Sequence, residues 1–279
     1  MKLPNLDDPT VGKFLQVATH ELPTEQPSTS DRDEREFIRM RGDILNRPGL
    51  RGADGSLWAG AAIAILDNIG GFTAGLASLP DGWVVTTNLR YRRLCGFTGE
   101  RATTAANVLR RGRRAVVTKI AFEADGQIFG DGVLTSAVLS PESGLPTWDR
   151  PIAMEPTPLS PEESSQHFLE WIGLEAVGAS GPMLEGRVHL EQKHRNPWGI
   201  AHGGVGPAAV VGLIEAANAD MTIVDAALHY LAPVRSEHMT VTAIVLNATA
   251  ATTLYEVNIL DADAGNRRCI TGTMLAATS

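Results

Sequence analysis

The stretch of this 279-residue chain best equipped for chemistry is Asn196-Pro197-Trp198-Gly199-Ile200-Ala201-His202-Gly203-Gly204, followed by an apolar run of small residues to Ala219. Glycines let a backbone come close to a ligand. A helix opening at His-Gly-Gly leaves the N–H groups of its first turn unpaired and aimed at whatever sits there. The positive end of that helix favours an oxygen that gains negative charge during reaction. The pattern therefore suits a carbonyl oxygen. A second residue stands out: Asp67, the one acid within the apolar run LWAGAAIAILDNIGGFTAGLASL at 57–79. An isolated carboxylate among Ile63, Leu66 and Ile69 is costly to bury, which argues for a use. Gly70 and Gly71, one turn on, leave space for another backbone or a ligand. The seven histidines lack ligand spacing with acids or cysteines, so no metal is expected.

The elements that must position these residues come in two sets. Residues 141–161 hold six of the sixteen prolines, a density that sustains neither helix nor central strand and reads as an extended linker. Before it run a strand over 35–46, a Gly-rich entry, an apolar helix from about 58, and three or four strands ending near Leu139. After it run a short helix near 164–173, a strand around 184–192, the motif, a helix from 202, and strands to the C-terminus. At an offset of 139, Leu89-Arg90-Tyr91 lies over Leu228-His229-Tyr230, and Gly126 over Gly265. Both glycines sit in turns between alternating apolar runs, as hairpins require. Two α+β units of about five antiparallel strands and one helix follow, at 1–140 and 162–279.

Composition limits the function classes. Hydrophobic content of 43% and charged content of 20% describe a globular chain with ample core material. A net charge of −8 argues against nucleic acid as a partner. Cys95 and Cys269 form no CxxC pair, which fits a reducing cytoplasm. No apolar signal core follows Met1-Lys2. The 57–79 run is long enough to raise a membrane span, but Asp67 at its centre and the missing basic flank favour a helix buried inside a domain.

The nine-residue motif closely resembles that of the hotdog-fold acyl-CoA thioesterases of the phenylacetate-pathway type. The resemblance implies a double hotdog, two tandem units whose antiparallel sheets wrap a long central helix, over residues 35–279. In that family an Asp or Glu follows the His position by nine residues on the same helix. Here His202 is followed at that distance by Val211, with Glu215 at plus thirteen reading as surface or a local salt bridge. Aligning Gly55-Ser56-Leu57-Trp58-Ala59-Gly60 on Gly199–Gly204 puts Trp58 at the His position, Gly52 at the Asn position and Asp67 at plus nine. Nine helical residues span about 13.5 Å, so a carboxylate there cannot serve its own helix mouth and must serve a neighbour's. The expectation is one competent site built from Asp67, Asn196, His202, Gly203 and Gly204, with Trp58 against Val211 in a dead reciprocal site.

By the same resemblance, the Gly203 N–H, with Gly204, would hold the thioester carbonyl. Asn196 would hold the loop or a water, and His202 would brace the turn or touch the thioester. Asp67 would act as general base or nucleophile, and Thr86 or Thr87 would offer a hydroxyl. Trp58, Ile63, Trp198 and Val211 are candidates to line the acyl pocket. The basic run Arg110, Arg111, Arg113 and Arg114 reads either as a solvated hairpin turn or as a grip on coenzyme A phosphates. Arg90, Arg92 and Arg93 form a second candidate patch. The implied function is hydrolysis of an acyl-CoA thioester in the cytoplasm. No cofactor is expected beyond the coenzyme A of the substrate, and assembly into a dimer or trimer is expected. The competing classes are a non-catalytic acyl-CoA sensor and a hotdog hydratase or dehydratase.

Overall fold

The structure, a computed structural model, describes residues 11–23, 38–140, 153–196 and 198–278. The first part of the chain forms α1 (Val11–Leu15), β1 (Val17–Glu21), β2 (Arg39–Leu45) and α2 (Ala59–Ser78). β3 (Trp83–Arg93), β4 (Arg101–Arg111), β5 (Ala115–Ala124), β6 (Gln127–Leu139) and β7 (Ala153–Met154) follow. Next come α3 (Pro161–Ser165), α4 (Phe168–Ile172), β8 (Leu174–Ser180), β9 (Met183–His189) and α5 (Val205–Ala217). The chain closes with β10 (Met221–Tyr230), β11 (His238–Ala248), β12 (Thr252–Asp261) and β13 (Arg267–Thr278).

Among the described residues all strands join one 13-stranded sheet in the order β7-β1-β2-β4-β5-β6-β3-β10-β13-β12-β11-β9-β8, every pair antiparallel. The seam at its middle is β3 against β10, where Leu89 pairs with Leu228. These are the two residues that the 139-residue offset superposes, so a pseudo-two-fold axis passes through this pair. Both leucines are buried and help fuse the two halves of the sheet into one core. The expected hairpins are present: Asp125 and Gly126, both at positive φ, turn β5 into β6. Gly265 and Asn266, likewise at positive φ, lead from β12 into β13.

α2 is apolar on every side because it is buried on nearly every side, between α5 and the inner face of the sheet. It is long and apolar enough to cross a membrane, and 78% of that apolar window is buried inside the molecule. α5 crosses α2 at Gly204, where an added Cβ would stand 2.5 Å from Ala64 Cα. Any larger residue would force the helices apart, at a cost of about 1–3 kcal/mol.

The Pro-rich stretch is not simply extended where the structure describes it. Ala153–Met154 pair with Thr19–His20 as a short edge strand. α3 starts at Pro161, behind a capping box between Ser160 and Glu163 that satisfies two free backbone donors. Residues 141–152 lie outside the described residues. The strand expected around 184–192 is preceded by an edge strand, β8, whose Gly178 at positive φ breaks the alternation.

Candidate active site where two helices meet

The loops that open α2 and α5 repeat each other bond for bond at an offset of 144. Arg51 bridges Leu57 in one, and Arg195 bridges Ala201 in the other. The Gly52 N–H donates to the Ser56 carbonyl as Asn196 does to Ile200. Trp58 donates to Leu50 as His202 does to His194. Gly55 and Gly199 adopt the same left-handed turn, at φ 75° and 72°, which a side chain would strain. Backbone hydrogen bonds therefore set the alignment of Trp58 on His202, and of Ala59 on Gly203, independently of side-chain similarity.

At the mouth of α5 the structure brings Asp67 to His202 and Gly203. Asp67 Oδ2 is 3.4 Å from His202 Nδ1. An added Cβ on Gly203 would lie 2.7 Å from Oδ2 and 2.8 Å from Oδ1. Only a glycine leaves room for a carboxylate there. The other carboxylate oxygen accepts a hydrogen bond from the Thr86 hydroxyl at 2.8 Å. Thr87 donates instead to the Thr135 carbonyl. A β-bulge between Thr86 and Asn88 shifts the alternation of β3 and turns Thr86 inward.

The helix mouth divides its donors. The Gly204 N–H donates to His202 Nδ1 at 3.1 Å, and the Val205 N–H to the His202 carbonyl. The Gly203 N–H has no acceptor among the described residues, and that leaves it for a ligand oxygen. Burial pulls the His202 pKa below the ordinary histidine value, and the Asp67 charge opposes this. A neutral imidazole accepting at Nδ1 carries its proton on Nε2. Asn196 holds the loop: its Oδ1 accepts from the Trp198 N–H at 3.0 Å and from the Ile200 N–H at 3.4 Å. These bonds tie Asn196 to two of the N–H groups that follow in the loop; Pro197 lies outside the described residues.

Beyond Asp67, one face of α2 is only partly buried, at Asn68, Gly71, Phe72 and Gly75, as is Leu79 just past its end. A Cβ on Gly71 would meet nothing within 4 Å, and one on Gly75 only Val84, at 3.8 Å. Gly70, by contrast, faces Ile120 and Leu134 of the sheet at 3.0 Å, so its missing side chain serves packing.

The four residues expected to line an acyl pocket do not meet in one place. Ile63 and Val211 are wholly buried core residues. Trp198 packs on Trp83, ring centroids 4.4 Å apart. Trp58 lies at the reciprocal mouth, and there the expected partner Val211 is replaced by Glu215. The Trp58 indole N–H donates to Glu215 Oε2 at 2.7 Å, while the Thr222 hydroxyl and Ile223 N–H reach Oε1. Glu215 is thus a partly buried hydrogen-bond acceptor, with the Arg93 charge near it and no direct ion pair among the described residues. Burial raises its pKa, with the Trp58 bond working the other way. A cavity of about 180 Å³ remains here, lined among others by Arg51, Trp58, His167 and Leu169.

The second basic patch is spent on acids: Arg90 pairs with Asp225, Arg92 with Asp131, and Arg93 with Asp54. In the first patch, Arg111 folds back onto the Ala77 carbonyl and Asp81 at the end of α2. Arg110, Arg113 and Arg114 line an open cavity of about 600 Å³ at the β4–β5 turn. Among the described residues no three His, Cys, Asp or Glu side chains gather as a metal site would need.

No protein-family model matches the sequence, and no curated protein matches it. Solved structures do. A tesB protein of Mycobacterium avium subsp. paratuberculosis is 11% identical at a TM-score of 0.62, over 96% of this chain and 98% of that one. A conserved protein of unknown function with a hot dog fold from Alicyclobacillus acidocaldarius is 11% identical at 0.60, over 96% and 97%. The 12:0-ACP thioesterase of Umbellularia californica is 11% identical at 0.61, over 86% of this chain and 94% of that one. The chain has the hotdog fold.

Proposed function

We propose that this protein is an acyl-CoA thioesterase built as two tandem hotdog units, with one working site per chain. The observation that carries the proposal is the Asp67 carboxylate seated against Gly203 and His202, beside a backbone N–H with no acceptor among the described residues. A thioester carbonyl oxygen accepts the Gly203 N–H, at the positive end of α5, where negative charge is best stabilised. Asp67, held by Thr86, takes a proton from a water as the water oxygen attacks the carbonyl carbon. The carbon–sulfur bond breaks, the acyl group leaves as a carboxylic acid, and the sulfur takes the proton to become the free thiol of coenzyme A. Attack by Asp67 itself, through an anhydride that water then opens, uses the same contacts.

The neighbours in fold include an acyl-carrier thioesterase, so thioester chemistry is the shared element and the carrier needs its own argument. From Asp67 to Ala77, ten residues of α2 span about 15 Å, comparable to a phosphopantetheine arm. Arg111 touches Ala77 from the inner face of the sheet, and Arg110, Arg113 and Arg114 stand at the same turn, with Arg110 on the other face opposite Val117. The partly buried face at Gly71 and Gly75 runs in that direction. We assign the arm to this face and the phosphates to the arginine turn.

The test is a panel of acyl-CoA and acyl-carrier thioesters with detection of free thiol. Release from acyl-CoA substrates that is lost in Asp67→Asn supports the proposal. Tight binding without thiol release would point to a sensor, and water addition to a 2-enoyl chain without thiol release to a hydratase.

A further inference from the structure

One hydrogen bond at the mouth of α5 has no counterpart in the repeat. In a regular helix the Gly203 carbonyl would accept from the N–H four residues on. That residue is Pro207, which has none. The Tyr230 hydroxyl, at the end of β10, donates to this carbonyl at 2.8 Å instead. In the first unit the equivalent positions are Ala59 and Ile63, and Ile63 has an N–H to give. Tyr91, the counterpart of Tyr230, packs edge-on against Phe122 in the sheet.

The peptide between Gly203 and Gly204 is therefore held at both ends. Its carbonyl accepts from Tyr230, and its N–H donates to His202 Nδ1. We propose that Tyr230 is a positioning residue which, through this peptide, fixes the His202 proton on Nε2 and aims the Gly203 N–H. Its role in turnover rests on the thioesterase reading; its hold on His202 does not. Burial and the nearby Asp67 charge keep the phenol protonated far above neutral pH, so it acts as a donor at all working conditions. A donor pulling on the carbonyl also polarises the peptide, which strengthens the N–H bond to Nδ1.

Tyr230→Phe keeps the ring and removes the donor. The expected result is a kcat lower by about tenfold with KM within about twofold, the size of one positioned hydrogen bond. Tyr91→Phe should leave both unchanged. In a Pro207→Ala background the helix recovers its own N–H, so the Tyr230→Phe loss should shrink to about twofold, which a role in ring packing would not produce. Nitrogen-15 NMR of the His202 ring gives a readout free of activity. The wild type should show a proton on Nε2, and Tyr230→Phe a mixture of the two forms.

Unchanged kcat and an unchanged ring spectrum in Tyr230→Phe would overturn the proposal. An unchanged spectrum alone would do so if the wild type releases no thiol, in which case the thioesterase reading fails separately. Should Tyr230→Phe not fold, the double variant with Pro207→Ala supplies the missing donor. In that variant His202 must keep its proton on Nε2, and a mixture of forms would contradict the proposed relay.

Discussion

The two helix mouths share a backbone and differ in almost every side chain that matters. At α5 the sequence is His202-Gly203-Gly204, with Asp67 of the neighbouring helix pressed against Gly203. At α2 it is Trp58-Ala59-Gly60, and the indole folds over Gly60, at 2.5 Å from where a Cβ would be. Position 59 carries the methyl group that position 203 cannot, and no carboxylate faces it at the place of Asp67, where Val211 stands. One turn along each helix the contrast repeats: Gly71 leaves open space in one cleft, whereas Glu215 reaches Trp58 across the other and lines the cavity that remains. The two mouths thus share their loop hydrogen bonds, while one sets a carboxylate against His202 and the other packs Trp58 into a hydrogen-bond cluster with Glu215.

The largest effect should come from the two carboxylates. Asp67→Asn is expected to lower kcat roughly 10³-fold, whereas Glu215→Gln should stay within about twofold; comparable losses in both would mean two working sites. Gly203→Ala makes the α5 mouth resemble the α2 mouth. Its methyl group pushes on Asp67 and on the oxygen site, and kcat should fall roughly 10²-fold with the protein still folded by circular dichroism. Replacing Arg110 and Arg114 together by Ala should raise KM for acyl-CoA about tenfold and leave kcat nearly unchanged, more so at low salt. Gly71→Leu should raise KM by a similar or smaller factor by filling the open face. Because glycine is a poor helix former, the same change should raise Tm slightly, the opposite sign.

The smallest effect concerns pH. Burial lowers the His202 pKa, so just below the ordinary value of about 6.5 only the unfolded chain takes up that proton. Stability should therefore fall as pH drops below about 6.5, and His202→Asn should flatten part of that decline in Tm. His194, also buried with its pKa lowered, supplies another part and will remain.

Much of the fold was legible because it rests on local signals. The helix over Ala59–Ser78 follows from an unbroken apolar run without proline, and the strand pairs from glycine turns at matched spacing. The pairing of Asp67 with the α5 mouth followed from the acid that the resembled family carries nine residues after its His position, once helix length ruled out Asp67's own helix mouth. What escaped depends on contacts distant in sequence. A bulge in β3, not composition, selects Thr86 over Thr87. Glu215 broke the expected spacing by one helical turn, and only the position of Trp58 shows what it does. β7 has two residues, too few for a period to emerge, and in β8 the irregularity at Gly178 breaks the alternation. Arg111 resembles its neighbours in sequence, yet it is fixed by a helix end far from it along the chain.

The most direct test is a crystal structure with a non-hydrolysable acyl-CoA thioether ketone, whose carbonyl stands in for that of the thioester. Its oxygen should lie within hydrogen-bond distance of the Gly203 N–H, with the Asp67 carboxylate beside its carbonyl carbon and no second molecule at Trp58. An analogue seated instead between Trp58 and Glu215, or one in each mouth, would contradict a single site shared by the two halves.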